Sequence, residues 1–296
     1  MRFEGFFAVA LCALGLLTVV EAAWAQTPDP RNWRRLEPES TLYIDTVHGR
    51  VVIELYPEVA PAHVERIRTL ARAGFFDGLT FHRVIAGFMA QTGDPFGTGE
   101  GASNLPDLQP EFTFRRGLDM PFVQAADQSD GPIGFYKTLP IQTQPDALIP
   151  HSRGNRVASN AIHCPGVVSM ARSTDPSSAN SQFFIMLGAR ASLNKVYSIF
   201  GRVVWGQEAV EALAVGEPPA NPDRMLAMRM ASDVPEAERA PIFVLRTDGP
   251  RFRDLIEDTR RRRRADFSVC DVVIPTRVPQ DENRERRWWS IIPFIN

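Results

Sequence analysis

Lysine is almost missing from this sequence. Lys137 and Lys195 are the only two, and arginine carries the rest of the basic charge. There is no basic excess either: the formal net charge is -2 at pH 7. That argues against general nucleic-acid binding, which rests on a clustered positive surplus. Cysteine is scarce, with three in 296 residues. His151, His163 and Cys164 lie close in sequence but fit no common zinc spacing. No metal and no cofactor is therefore expected. Ser169, in the run GVVSMAR, lacks a nucleophile elbow, which sets a hydrolase aside. What remains is an ordinary globular composition, 44% hydrophobic and 23% charged, able to bury a sizeable core.

The N-terminus reads as a signal peptide spanning residues 1–25. Arg2 precedes an apolar run from Phe6 to Val20, and Ala23-Trp24-Ala25 offers small residues where a signal peptidase cuts. The alternative is a membrane span, but the run falls short of the ~20 residues that spanning takes. Removal of the signal takes Cys12 with it and leaves Cys164 and Cys270. An even pair in an oxidising compartment suggests a disulfide, with two buried free thiols as the alternative. The arginine-rich, lysine-poor composition fits an exported protein of a bacterial periplasm.

Residues 26–40 are polar and proline-bearing and read as a linker. Leu42, Ile44, Val51, Ile53 and Leu55 alternate around His48-Gly49, a hairpin signal. Val64, Ile67, Leu70 and Ala71 recur at helical spacing, with Gly74 where a helix C-cap belongs. An aromatic-rich strand region follows from Leu79 to Gln91. From Gly97 to Pro165 no periodicity persists, and the segment is expected as a long loop or insertion with short strands at most. Two strand-like runs lie between Val167 and Met186, a further strand at Ser198–Val204, a short helix at Glu208–Leu213 and a closing strand at Met225–Met230. Residues 235–296 form an extension in which Phe252, Leu255 and Ile256 share a helical face ending at Arg260–Arg264. Arginines there suit the helix dipole, and an anion-binding patch is the alternative.

The chemistry concentrates in FHRVIAGFMAQTGD, Phe81 to Asp94. Alternate residues of such strands face opposite sides, so one side can fill a core while the other lines a surface hollow. Arg83 and Gln91 interrupt the apolar run, and unpaired arginine rarely belongs in a core. A guanidinium and a carboxamide beside phenyl rings make a donor array over an apolar dish. That suits a ring with an adjacent carbonyl, as in an Xaa-Pro peptide.

With GVVSMARSTDPSSANSQFFI (Gly166–Ile185) and FGRVV (Phe200–Val204) in the same order, the chain resembles the cyclophilin family from about Leu42 to Met230. The resemblance implies a mainly β fold, a closed eight-stranded antiparallel barrel capped by two helices, at residues 41–234, interrupted by an insertion at about 102–165. It implies peptidyl-prolyl cis-trans isomerase activity on proline-containing unfolded or flexible polypeptides, with a non-catalytic binding module of the cell envelope as the rival. By position, Arg83 matches the family's catalytic arginine and Gln91 its orienting glutamine. Phe88, Met89, Phe184 and Leu193 match the proline pocket. Ala171 and Arg172 match the step that pairs with substrate main chain, Gln182 a groove residue, and Gly97–Gly101 the glycine-rich loop. Three positions depart: Ser192 stands where many members have tryptophan, Tyr197 where many have histidine, and Arg172 replaces asparagine. The first implies weak cyclosporin binding. Arg172 is expected to matter little, since that contact is mainly backbone. The tail Arg284–Asn296, with Trp288 and Trp289, is read as touching a membrane surface weakly, docking on the protein itself or forming a disordered end.

Overall fold

A computed structural model describes residues 28–239 and 241–278. Residues 1–25, read as a signal peptide, with Cys12 among them, and the tail Arg284–Asn296 lie outside the described residues. Among the described residues no helix is long and apolar enough to cross a membrane.

The chain begins with strand β1 (Trp33–Arg35) and the hairpin of β2 (Thr41–Thr46) and β3 (Gly49–Leu55). The hairpin forms because its alternation sorts side chains: Leu42, Ile44, Val51 and Ile53 enter one core, Tyr43 and Val52 another. Helix α1 (Pro61–Arg72) opens on a proline, pre-set for a first turn, and buries Val64, Ile67, Leu70 and Ala71. Gly74 follows it at φ 67°, a conformation glycine adopts without steric cost. Next come β4 (Arg83–Ile85) and β5 (Met89–Thr92), then β6 (Phe114–Arg116), β7 (Val123–Gln128), β8 (Gly131–Tyr136), β9 (Leu139–Thr143) and β10 (Val157–Ala161). They lead into β11 (Val167–Met170), β12 (Phe183–Met186), β13 (Ile199–Trp205), α2 (Gln207–Glu211) and β14 (Met225–Met230). The described chain ends with β15 (Phe243–Leu245), α3 (Pro250–Arg263) and β16 (Thr276–Arg277).

The main sheet has eight strands in the order β14-β2-β3-β13-β11-β12-β5-β4. The fold is mainly β, but the closed barrel is corrected: the sheet is an open, curled half-barrel. Its edge strands do not pair. Val84 of β4 spends its N–H and C=O on Gly216 in the loop ahead of β14, at 2.8 and 2.9 Å, and Thr80 bridges Arg224. A three-residue edge strand has nothing further to offer a ladder. The two capping helices are unequal: α1 has twelve residues and α2 five.

The insertion is not irregular. It forms a five-stranded sheet, β6-β10-β9-β8-β7. Phe135, with Ile133 on the same face of that sheet, is buried with Phe252 and Ile256 of α3, while Leu139 and Ile141 are buried on the opposite face. Phe135 meets Phe252 edge to face at 5.2 Å between centroids. The C-terminal helix covers the Phe135 face of the sheet, and a bond between Cys164 and Cys270 ties the two together, with Cα atoms 5.0 Å apart.

The stretch expected as a linker is also built in. β1 pairs with β15, which pairs with β16, and Trp33 and Leu36 are buried. Beside it, buried Glu54 of β3 receives Arg34 of β1 in a two-pronged pair at 2.7 and 2.8 Å, with Tyr56 at 2.7 Å and Thr138 at 2.9 Å. Burial pushes the Glu54 carboxyl up, but the Arg34 charge and these donors outweigh it and hold it below its usual range. Arg202 of β13 donates to the Thr138 carbonyl. One carboxylate thus joins the main sheet, the N-terminal strand and the insertion.

Candidate active site

Register alone sorts pocket from core. Arg83 pairs with Gln91, and Gln91 with Phe184, across β4, β5 and β12. Cross-strand partners share a face, so these three side chains stand in one row on the outer surface. The next row, Val84, Ala90 and Ile185, points inward and belongs to the barrel core.

Arg83, Phe88, Met89, Gln91, Ala171, Arg172, Phe184, Leu193 and Tyr197 line one cavity of about 120 Å³. Gln182 lies just beyond it and lines a neighbouring hollow of about 360 Å³ together with Gln91, Ala171 and Arg172. The candidate residues read from the sequence therefore converge, Cys164 and Cys270 lying apart from them as the disulfide. Among the described residues no three His, Cys, Asp or Glu side chains gather as a metal site.

A polar chain runs along the rim. Arg83 Nη1 reaches Gln91 Oε1 at 3.5 Å, Gln91 Nε2 donates to Gln182 Oε1 at 2.9 Å, and Gln182 Nε2 donates to the Gly99 and Gly101 carbonyls at 2.9 and 2.8 Å. The glycine-rich loop is wrapped around Asp94, whose carboxylate accepts the N–H groups of Phe96, Thr98 and Gly99. A Cβ on Gly101 would meet an Asp94 oxygen at 1.8 Å, so only glycine allows this approach. Burial raises the Asp94 pKa, and the N–H donors more than offset it, leaving the carboxyl below its usual range.

The apolar floor has support that sequence reading missed. His163, considered there only as a metal ligand, is 1% exposed and stacks on Phe184 at 6.2 Å, with Tyr197 edge-on to Phe184 at 5.6 Å. Asn194 Oδ1 accepts from the His163 backbone N–H at 2.9 Å and lies 3.0 Å from Nδ1. Burial lowers the imidazole pKa to about 4, so the ring is neutral at pH 7 and packs as an aromatic plate. Arg172 does more than its backbone. Its guanidinium sits 4.6 Å over the Tyr197 ring and donates to the Val196 carbonyl at 2.9 Å, fixing the wall that Tyr197 supplies. Arg190 covers Phe88 at 5.2 Å. Glu217, also missed, meets Arg83 Nε at 2.7 Å. None of these four contacts has a periodic sequence signal, because each partner comes from a loop or a distant segment.

Residues 41–230 match the family model described as cyclophilin type peptidyl-prolyl cis-trans isomerase/CLD. A probable peptidyl-prolyl cis-trans isomerase of Brucella suis biovar 1 (strain 1330) is 35% identical over 213 residues, covering 67% of this chain and 85% of the relative. Peptidyl-prolyl cis-trans isomerase B of Bacillus subtilis (strain 168) is 33% identical over 169 residues, covering 57% of this chain and 86% of the relative. The crystal structure of cyclophilin AquaCyp293 from Hirschia baltica superposes with a TM-score of 0.77 at 38% identity, covering 86% of this chain and 96% of that one. That 86% is more than residues 41–230 alone supply, so the likeness extends beyond the family-matched stretch.

Proposed function

The chain belongs to the cyclophilin-type peptidyl-prolyl cis-trans isomerases, and from that premise we propose that it turns Xaa-Pro bonds of exported polypeptides and so assists their folding, with Arg83 as the catalytic group. The observation that carries the residue assignment is the single outward row of Arg83, Gln91 and Phe184 over one cavity walled by Phe88, Met89, Leu193 and Tyr197.

The chemistry needs neither nucleophile nor metal. Amide resonance holds the C–N bond against rotation by ~18–20 kcal/mol. It requires a planar nitrogen that shares its lone pair with the carbonyl. Phe88, Met89, Phe184 and Leu193 hold the proline ring, and Arg83 donates a hydrogen bond toward the prolyl nitrogen. The lone pair is then drawn off the carbonyl, and the bond turns more like a single one. Gln91, held by Gln182, orients the preceding carbonyl. A charged donor aimed at the twisted nitrogen and not at the planar amide lowers the barrier selectively. Each tenfold of rate takes ~1.4 kcal/mol of such selectivity.

Export to a periplasm is supported by the signal-like N-terminus and by the Cys164–Cys270 bond, since disulfides persist in oxidising compartments. A client there folds after secretion, when uncatalysed isomerisation, tens of seconds or slower, can limit it. A weak contact with a membrane surface is supported only by the composition of the tail Arg284–Asn296, whose arginines, Trp288 and Trp289 suit a membrane interface.

A protease-coupled assay on a proline peptide tests the assignment. Replacement of Arg83 by alanine is expected to lower kcat/KM by about 10²-fold, the scale on which loss of one preorganised donor acts. Equal rates for the two proteins would remove Arg83 from the reaction.

A further inference from the structure

The seam of the open sheet and the catalytic guanidinium fall at one place. Val84 is held to Gly216 by two backbone bonds, at 2.8 and 2.9 Å. This clamp sets the neighbours of both residues side by side, Arg83 on one strand and Glu217 on the facing loop. Glu217 Oε2 accepts from Arg83 Nε at 2.7 Å.

We propose that Glu217 is the positioning residue for Arg83, an inference that rests on the assignment of Arg83 above. A guanidinium is planar, with its donors in a fixed fork. Capture of Nε by a carboxylate fixes that plane and leaves the Nη edge turned to Gln91 and the cavity. Gln91 cannot do this alone, because its contact with Arg83 is 3.5 Å long, against 2.7 Å for Glu217. Arg83 is 40% exposed at its side chain, so without an anchor its long stem samples several rotamers. Glu217 is not among the residues lining the cavity, so it acts through Arg83 and not on the substrate. The pair is open to solvent on both sides, and exposed pairs contribute little to stability. Its geometry therefore matters for orientation more than for the fold.

The test compares wild type, Glu217→Ala and Glu217→Gln, each also carrying Arg83→Ala, in the proline-peptide assay, with thermal midpoints measured alongside. Glu217→Ala is expected to lower kcat about tenfold with KM within about twofold, below the roughly 10²-fold that a 1 Å misplacement can cost. Glu217→Gln, which keeps an acceptor at the same reach, recovers part of the loss. In the Arg83→Ala background Glu217→Ala changes nothing further, and the thermal midpoints agree. The Arg83 Nε–Hε resonance shifts in Glu217→Ala, a signature that a merely structural role would not give. A Glu217→Ala enzyme as fast as wild type or faster, beside a slow Arg83→Ala, overturns this proposal alone. So does an equal fold-loss with and without Arg83. An Arg83→Ala enzyme as fast as wild type overturns the assignment of Arg83 and this proposal with it.

Discussion

The groove and the layer packed behind it are held together by different means. In the groove, Arg83, Gln91 and Gln182 are half-buried and kept in line by strand register and single polar contacts. In the layer, the inserted sheet, β1 and α3 are fixed by a disulfide, a buried carboxylate and an aromatic core. The difference teaches that function here is the cheaper property to lose: groove changes should cut activity and spare the fold, and layer changes the reverse.

The disulfide offers the largest test. It closes a loop of 106 residues, worth about 4–5 kcal/mol in the chain-entropy model. Changing Cys164 and Cys270 together to serine is expected to lower denaturant stability by up to that amount while kcat/KM at 25 °C stays within about twofold. A parallel loss of activity in the still-folded protein would break the comparison and make the layer part of the site. Glu54→Ala comes next. It leaves Arg34 beside a vacated anion position, and uncompensated buried charges cost about 3–5 kcal/mol; Arg34, 21% exposed, can be partly rehydrated, so about 3 kcal/mol is expected. Chemical denaturation measures it, and a change under 1 kcal/mol would show that the ionic junction is ornamental.

His163 lies on the boundary, adjoining Cys164 in sequence and stacked beneath Phe184. Its folded pKa, about 4, is below the unfolded ~6.5. The unfolded chain then binds the proton first as pH falls. The stability from the neutral ring is complete above about pH 6.5 and is lost between there and about pH 4, by at most about 3 kcal/mol. His163→Phe should flatten that limb in a pH series of unfolding midpoints. A limb of equal depth in the variant would assign it elsewhere.

Legibility in the sequence follows the same division. The rows of the main sheet could be read because the short runs Arg83–Ile85, Met89–Thr92 and Phe183–Met186 keep a two-residue period, and their outward residues Arg83, Met89, Gln91 and Phe184 line the cavity. The inserted sheet could not, because Pro132 and Pro140 sit inside β8 and β9, where proline normally speaks against a strand. Burial of its Phe135 face depends on Phe252 and Ile256, more than a hundred residues further on. The closed barrel that the resemblance implies fails at β4, where Val84 pairs with a loop residue. Glu217 was invisible because a lone acid in a loop carries no periodicity; only the Val84–Gly216 clamp gives it meaning. The departure at Arg172 looks minor in the sequence because the family contact is mainly backbone, whereas its side chain sits over Tyr197.

Exchange NMR on a short Xaa-Pro peptide, with binding measured in the same samples, tests the central assignment most directly. For Arg83→Ala the account predicts peptide affinity within a few-fold of wild type and cis-trans exchange on the enzyme slower by about 10²-fold. Undiminished exchange in that variant, with the peptide still seated against Phe184, would contradict it.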